Sequence, residues 1–156
     1  MANQTMSASR RAVLVTGAAV IAGAVLPGSL AQATPEAMAT AMQQVLAGRT
    51  AKPGRIKLEI SPLAENGNSV PVTITVESPM TAADHVTSIY LFSPENPQPD
   101  MVRFHLGPRA GRARVQASIR LANTQRVEAI AIMKDGSVWS DGAEVIVTMS
   151  ACLDAG

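Results

Sequence analysis

Apolar residues recur at every second position through most of the chain after residue 55, and this period is the strongest constraint on the fold. It is clearest at 70–76 and 113–121, where apolar side chains alternate with polar ones. Such alternation places the apolar side chains on one face of a strand. Further strands are predicted at 56–60, 86–92, 102–106, 127–133 and 143–149, with a short one around 138–139. The pattern predicts an all-β fold, an antiparallel β-sandwich of immunoglobulin type.

Pairs of Asn or Asp with Gly interrupt these segments. Asn66-Gly67, Asp135-Gly136 and Asp141-Gly142 are predicted as turns, because these residue types tolerate the backbone angles that turns require. The only tryptophan, Trp139, lies between the last two turns. It is predicted to cover one edge of the core or to belong to a subunit interface.

A short helix is predicted within residues 34–50, ahead of a sandwich domain at 51–148. Thr34 is a capping hydroxyl, Pro35 suits the first helical position, and Glu36 adds an acid to the first turn. Apolar residues then follow at helical spacing, namely Met38, Ala41, Met42, Val45 and Leu46. This stripe packs either on its own domain or on a partner subunit, and the pattern leaves both open.

Residues 1–33 have the composition of a cleaved export signal. Arg10 and Arg11 precede an uncharged run at 13–26, and residues 31–33 supply small side chains at the cleavage site. The run is too short and too rich in Ala and Gly to span a membrane stably. The paired arginines favour twin-arginine export over the ordinary secretory route. We therefore expect a soluble periplasmic protein.

The composition argues against several kinds of site. A net charge of +1 argues against a nucleic-acid surface, and no cofactor or membrane contact is expected. His85 and His105 lack the spacing of a metal site, and the His105 side chain is predicted to face solvent. Five arginines are predicted to cluster around one hairpin, either as a solvated face or as a docking patch for acidic partners: Arg103, Arg109, Arg112, Arg114 and Arg120.

The only cysteine, Cys152, lies among the last eight residues. Chain ends are poorly ordered unless they are tied down, so residues 149–156 are predicted to form a mobile tail that presents the thiol. A nucleophile on such a tail lacks the rigid support that catalysis requires, and no catalytic residue is assigned. A thiol without an internal partner also predicts disulfide-linked dimers through Cys152.

Several short motifs occur in an order that resembles the SoxY family, the sulfur-carrier subunit of the periplasmic thiosulfate-oxidising (Sox) system. They are Ala64-Glu65-Asn66-Gly67, Val70-Pro71-Val72, Ser78-Pro79-Met80-Thr81, Asn96-Pro97-Gln98-Pro99, Ile119-Arg120-Leu121-Ala122, Asp135-Gly136-Ser137, Val147-Thr148 and Cys152. The resemblance implies a non-catalytic carrier that holds sulfur intermediates covalently on Cys152. It also implies a complex with a SoxZ-like β-sandwich subunit, and visits by a cytochrome, a hydrolase and a sulfur dehydrogenase.

The tail departs from the Gly-Gly-Cys-Gly-Gly ending of that family. Met149, Ser150 and Ala151 precede the cysteine, and Leu153 and Asp154 follow it. These residues are predicted to set the reach of the tail and the environment of the thiol. Side chains restrict a backbone that glycine leaves free, and the charge of Asp154 should raise the pKa of the thiol.

Three interpretations therefore remain open. The chain is a working carrier with an altered tail, an assembly or scaffold subunit whose tail no longer carries substrate, or an unrelated sandwich with an incidental thiol. A lone cysteine kept in an oxidising compartment favours the carrier.

Overall fold

The structure, a computed structural model, describes residues 34–151. The predicted export signal and residues Cys152, Leu153 and Asp154 lie outside this range. Within it, one α-helix, α1 (Pro35–Leu46), is followed by nine strands. These are β1 (Ala51–Pro53), β2 (Ile56–Ile60), β3 (Leu63–Ala64), β4 (Val70–Val76), β5 (Val86–Phe92), β6 (Asp100–His105), β7 (Arg114–Ile119), β8 (Gln125–Met133) and β9 (Val138–Val147). A single 3₁₀ turn, Pro108–Ala110, lies between β6 and β7.

The strands form two sheets that face each other. The larger sheet has the order β1-β9-β8-β5-β6, with β3 also paired to β9, and the smaller sheet has the order β2-β4-β7. All pairs are antiparallel except those of β1 and β3, each of which runs parallel to β9. The predicted all-β sandwich with a short N-terminal helix is confirmed. The two short strands were not predicted, because two or three residues carry no readable alternation.

The core lies between the sheets and is built from aliphatic side chains of both. The fully buried residues include Ile74 from the smaller sheet and Ile89, Leu91, Val127 and Val145 from the larger one. Removing apolar surface from water in this way stabilises the fold by about 25 cal/mol per Å². Because few aromatic residues are available, tight packing of branched side chains fills the space instead.

Helix α1 covers the outer face of the larger sheet. The Thr34 hydroxyl accepts a hydrogen bond from the Ala37 N–H at 3.2 Å, as the capping signal predicts. The apolar stripe of α1 packs against a cluster formed by Phe92, Ile130 and Val138. Of the two alternatives left open by the sequence, the helix therefore packs on its own domain.

The predicted turn at Asp141-Gly142 is wrong, because both residues lie inside the ten-residue strand β9. A Cβ on Gly142 would meet the flexible ends of the Arg126 and Glu128 side chains, which would have to shift. The Asp141 carboxylate accepts a hydrogen bond from the backbone N–H of Leu58 at 2.8 Å. Asp141 therefore ties the edge of the smaller sheet to the larger one.

The five arginines do not surround a hairpin. Strand β6 pairs with β5 in the larger sheet, whereas β7 pairs with β4 in the smaller one. The connection between β6 and β7 crosses from one sheet to the other, so the arginines lie along an edge of the sandwich where the two sheets meet. Alternation alone shows that two strands follow each other, and it does not show whether they pair.

Candidate functional site

The chain leaves β9 along a groove between two loops, at 64–67 and 121–124. We call residues 148–151, which occupy this groove, the tail root. On one side, the N–H of Thr148 donates to the Ala64 carbonyl at 3.1 Å, and its hydroxyl donates to the Glu65 carbonyl at 3.2 Å. On the other side, the Ala151 N–H donates to the Leu121 carbonyl at 3.1 Å. The tail root is thus bonded to the body of the sandwich from both sides.

Gly67 joins the two sides of this groove. Its N–H donates to the Met149 carbonyl at 2.8 Å, and its carbonyl accepts from the Leu121 N–H at 2.8 Å. A Cβ at this position would collide with the Leu121 carbonyl oxygen and would lie 2.9 Å from the Ala151 nitrogen. Gly67 has no positive φ. Glycine is therefore required at position 67 because three backbone segments approach each other closely there. The turn angles that the sequence suggested are not the reason.

The described part of the predicted mobile tail is consequently held in place. Ala151 is buried, with 8% of its surface exposed, while the side chains of Met149 and Ser150 are exposed. The Ser150 hydroxyl lies 3.4 Å from the Asn123 side-chain oxygen, at the long end of the hydrogen-bond range. Mobility was predicted from residue 149 onward, but the hydrogen bonds extend through Ala151. The sequence predicted mobility only because chain ends are often poorly ordered. It did not reveal that these backbone groups are hydrogen-bonded to two loops.

Three exposed apolar side chains lie on or near the tail root. Leu63, Ile146 and Met149 are the large hydrophobic side chains that stay exposed within residues 34–151, at 48%, 56% and 62%. Leu63 and Ile146 are register partners in the β3–β9 pair. Within residues 64–67, 121–124 and 148–151, the only charged residue is Glu65. The two loops and the tail root are thus mainly neutral and partly apolar.

The remaining candidates from the sequence are structural. His85 is buried and its Nδ1 lies 2.9 Å from the Thr81 carbonyl oxygen, while His105 is exposed, as predicted, with Nδ1 3.1 Å from the Ser88 hydroxyl. Trp139 is half-buried against the core, and the Arg55 guanidinium lies over its ring at 5.8 Å. Over residues 34–151, no three acidic or histidine side chains gather as a metal site.

Comparisons with known proteins agree with this architecture. A family model described as "Sulfur oxidation protein SoxY" matches residues 42–152. The sulfur carrier protein SoxY from Chlorobium limicola f thiosulfatophilum is 25% identical with a TM-score of 0.61, covering 73% of this chain and 98% of its own. A search of curated proteins gives no significant match.

Superoxide reductases share the fold at lower identity. The enzyme (neelaredoxin) from Ignicoccus hospitalis is 21% identical, with a TM-score of 0.54 over 60% of this chain and 80% of its own. That from Nanoarchaeum equitans is 15% identical, with a TM-score of 0.52 over 62% and 100%. These likenesses concern the fold alone.

The fold defines a β-sandwich protein whose last described strand leads into an anchored segment, and Cys152 follows that segment in the sequence. The family match covers most of the sequence and reaches that cysteine. The chain belongs to the SoxY family of sulfur oxidation proteins. Within the part of the chain that the structure describes, no helix is long and apolar enough to cross a bilayer.

Proposed function

We propose that this chain is a periplasmic sulfur carrier that binds sulfur intermediates covalently on Cys152 during oxidation of thiosulfate or related compounds. One observation carries the proposal: the family match runs from residue 42 through Cys152, so it includes the thiol and the tail root. The similar Chlorobium protein is itself described as a sulfur carrier. The carrier has no turnover of its own, and the chemistry belongs to the enzymes that visit it.

The loading step consumes a thiol and releases two electrons. Cys152 and thiosulfate join through a new sulfur–sulfur bond to give a cysteine S-thiosulfonate, with loss of one proton and two electrons to a c-type cytochrome. A hydrolase then adds water across the terminal S–S bond, which releases sulfate and a proton and leaves a persulfide on Cys152. A thiolate is the nucleophile in such exchanges, so the local charge at residue 152 controls the loading rate.

The anchored tail root limits how far Cys152 can reach. Ala151 is bonded to Leu121, and one residue of chain spans at most about 3.6 Å. While these bonds hold, an enzyme must bring its active site to the body of the sandwich. The exposed side chains of Leu63, Ile146 and Met149, on or near the tail root, give such an enzyme apolar surface to contact. This supports a carrier that works through close docking, and glycine flanks are not needed for that mode.

The same resemblance supports a complex with a SoxZ-like subunit and export by the twin-arginine route. The cytochrome, the hydrolase and a sulfur dehydrogenase are proposed as the visiting enzymes. A second candidate function is that of an assembly subunit whose tail no longer carries substrate. It is favoured by the fixed tail root and by the flanks Ser150-Ala151 and Leu153-Asp154, which replace the glycines of the family.

Replacing Cys152 by serine separates these functions. In a reconstituted system with thiosulfate and the oxidising enzymes, Cys152→Ser should abolish sulfur-dependent electron transfer while leaving binding to the partner subunit unchanged. Ala39→Ser, which adds a hydroxyl to an exposed position of α1, serves as the matched control and should keep full activity. Undiminished electron transfer with Cys152→Ser would contradict the carrier and favour the assembly subunit.

A further inference from the structure

The sandwich is open along the edge formed by β6 and β7. In most of the core the inward side chains are fully buried, but along this edge they are only half-buried. The group comprises Met101, Val102, Phe104, Leu106, Val115 and Ala117. A cleft of about 490 Å³ runs between the two strands, with Val102 and Ala117 among its lining residues. Apolar core side chains are therefore partly exposed along this edge.

Arginines outnumber acids along this open edge, where Asp100 begins β6 and Glu77 lies near Arg112 and Arg114. From residue 101 to residue 121 the sequence holds five arginines and no Asp or Glu, although the whole chain has a net charge of only +1. All five are exposed. Among the residues that the structure describes, Arg103 pairs with Asp100, while Arg109, Arg112, Arg114 and Arg120 make no ion pair. Arg112 and Arg120 flank the two ends of β7.

One buried acceptor at this edge has no hydrogen-bond partner among the described residues. Asp100 lines the cleft, and one of its carboxylate oxygens accepts from the Arg103 side chain. The other oxygen, Oδ1, is buried without a hydrogen-bond partner among the described residues. Burying an acceptor in this way costs free energy unless a donor reaches it. Because this oxygen is itself buried, it is a local cost at this end of the cleft and not a contact point for a partner.

This combination has the composition of a stable protein interface. Such interfaces have an apolar centre rich in aromatic residues and Met, with arginine enriched and other charges depleted. A second copy of this chain fits poorly, because a twofold contact would set arginines against arginines. A nucleic acid would meet the arginines but would leave the apolar cleft uncovered.

We propose that the β6–β7 edge, with its arginine border, is the docking surface for a permanently bound partner subunit whose contact face has an apolar ridge bordered by Asp and Glu. The inference rests on the partner complex in the proposed function and names the surface that makes it. It does not depend on the chemistry of Cys152. The arginines steer and orient the partner, and the half-buried side chains of the edge supply the apolar contact.

Charge reversal at the two ends of β7 tests this surface. The full chain and the SoxZ-like subunit of the same organism are titrated against each other by calorimetry. Arg112→Glu/Arg120→Glu should weaken binding at least about tenfold, and the affinity of the unaltered chain should fall with added salt. The matched control is Lys52→Glu/Lys134→Glu, which reverses two exposed charges on β1 and on the β8–β9 turn. It should bind within about twofold of the unaltered chain.

Hydrogen exchange on the complex provides a second readout that requires no substitution. Amides of β6 and β7 should gain protection on binding, and those of β1 should not. Unchanged affinity of the double arginine variant, equal weakening by the lysine control, or protection confined to α1 would overturn the inference while leaving the complex intact. Binding of a DNA duplex in place of the subunit would also overturn it.

Failure of the unaltered chain to bind the subunit would overturn both the inference and the proposed partner complex. The carrier chemistry of Cys152 is tested separately, since loading of the thiol is read by mass on the chain alone.

Discussion

Gly67 is the residue on which the position of the tail root depends most directly. Gly67→Ala would place a methyl group against the Leu121 carbonyl and 2.9 Å from the Ala151 nitrogen, so one of the three segments must move. We expect a loss of stability of about 1–3 kcal/mol, as for other overpacked sites, and release of the tail root. Thermal unfolding measures the first effect, and the alkylation rate of Cys152 in the folded protein measures the second.

Gly107→Ala is the matched control for that substitution. Gly107 has an extended backbone with φ −140°, and a Cβ there would meet no atom within 4 Å. The change should leave stability the same or raise it slightly, since alanine restricts the unfolded chain. If both variants unfold at the same temperature as the unaltered chain, the close approach at Gly67 does not hold the tail root.

The partly buried carboxyl of Glu128 should make the stability of the protein depend on pH. Burial raises the pKa of its carboxyl above the ordinary value of 4.5, although Arg126 lowers it in part, and nearby Asp141 raises it further. Because the folded-state pKa is the higher one, stability from this group is fully present below about pH 4.5 and is lost as the pH rises through the folded-state pKa. Glu128→Gln should therefore stabilise the protein by about 0.5 kcal/mol near neutral pH, with no gain in acid.

Thermal unfolding across pH checks this prediction. Glu144→Gln is the control, because Glu144 also faces Arg126, at 3.7 Å, but is exposed. It should change stability little at any pH. A destabilised Glu128→Gln variant near neutral pH would mean that the ion pair with Arg126 outweighs the burial.

At the level of elements, the Asp141 side chain links β9 to the backbone of β2. Asp141→Ala would leave the buried N–H of Leu58 without its acceptor, and we expect a loss of about 1–3 kcal/mol. Asp141→Asn keeps an oxygen at the same position and should recover most of that loss. Chemical denaturation measures both. Equal stability of the alanine variant and the unaltered chain would show that the bond between the sheets contributes nothing.

The elements that sequence could predict are those with their own periodic pattern. Strands β4 and β5 were predicted with the bounds that the structure shows, because alternation or a continuous apolar run specifies them locally. The sequence predicted the long strand β9 as two separate strands, because Asp141-Gly142 carries a local turn signal. What overrides that signal is distant in sequence: the packing of Arg126 and Glu128 over Gly142, and the N–H of Leu58.

At the level of the whole molecule, the candidate site was predictable only in part. The lone cysteine and the order of the motifs could be read from the sequence, and the family match confirms the family. The anchoring of the tail root could not be read, because it joins Ala64, Gly67 and Leu121, which come from loops far apart in the chain. The open β6–β7 edge was likewise hidden, since alternation does not reveal which strands pair.

The lone cysteine of the sequence also predicts how the isolated protein behaves. Without a partner, two copies should join through Cys152 under air, because no second cysteine in the sequence competes for it. Non-reducing electrophoresis should show a dimer that a thiol reductant converts to monomer. A dimer that persists in Cys152→Ser would show that the copies associate without the thiol.

The most direct test of the carrier function is the intact mass of the protein purified from its native host during growth on thiosulfate. We predict added sulfur or thiosulfonate on Cys152, located by peptide mapping and removed by reductant. A thiol that remains unmodified after exposure to thiosulfate and the cognate cytochrome would contradict the account.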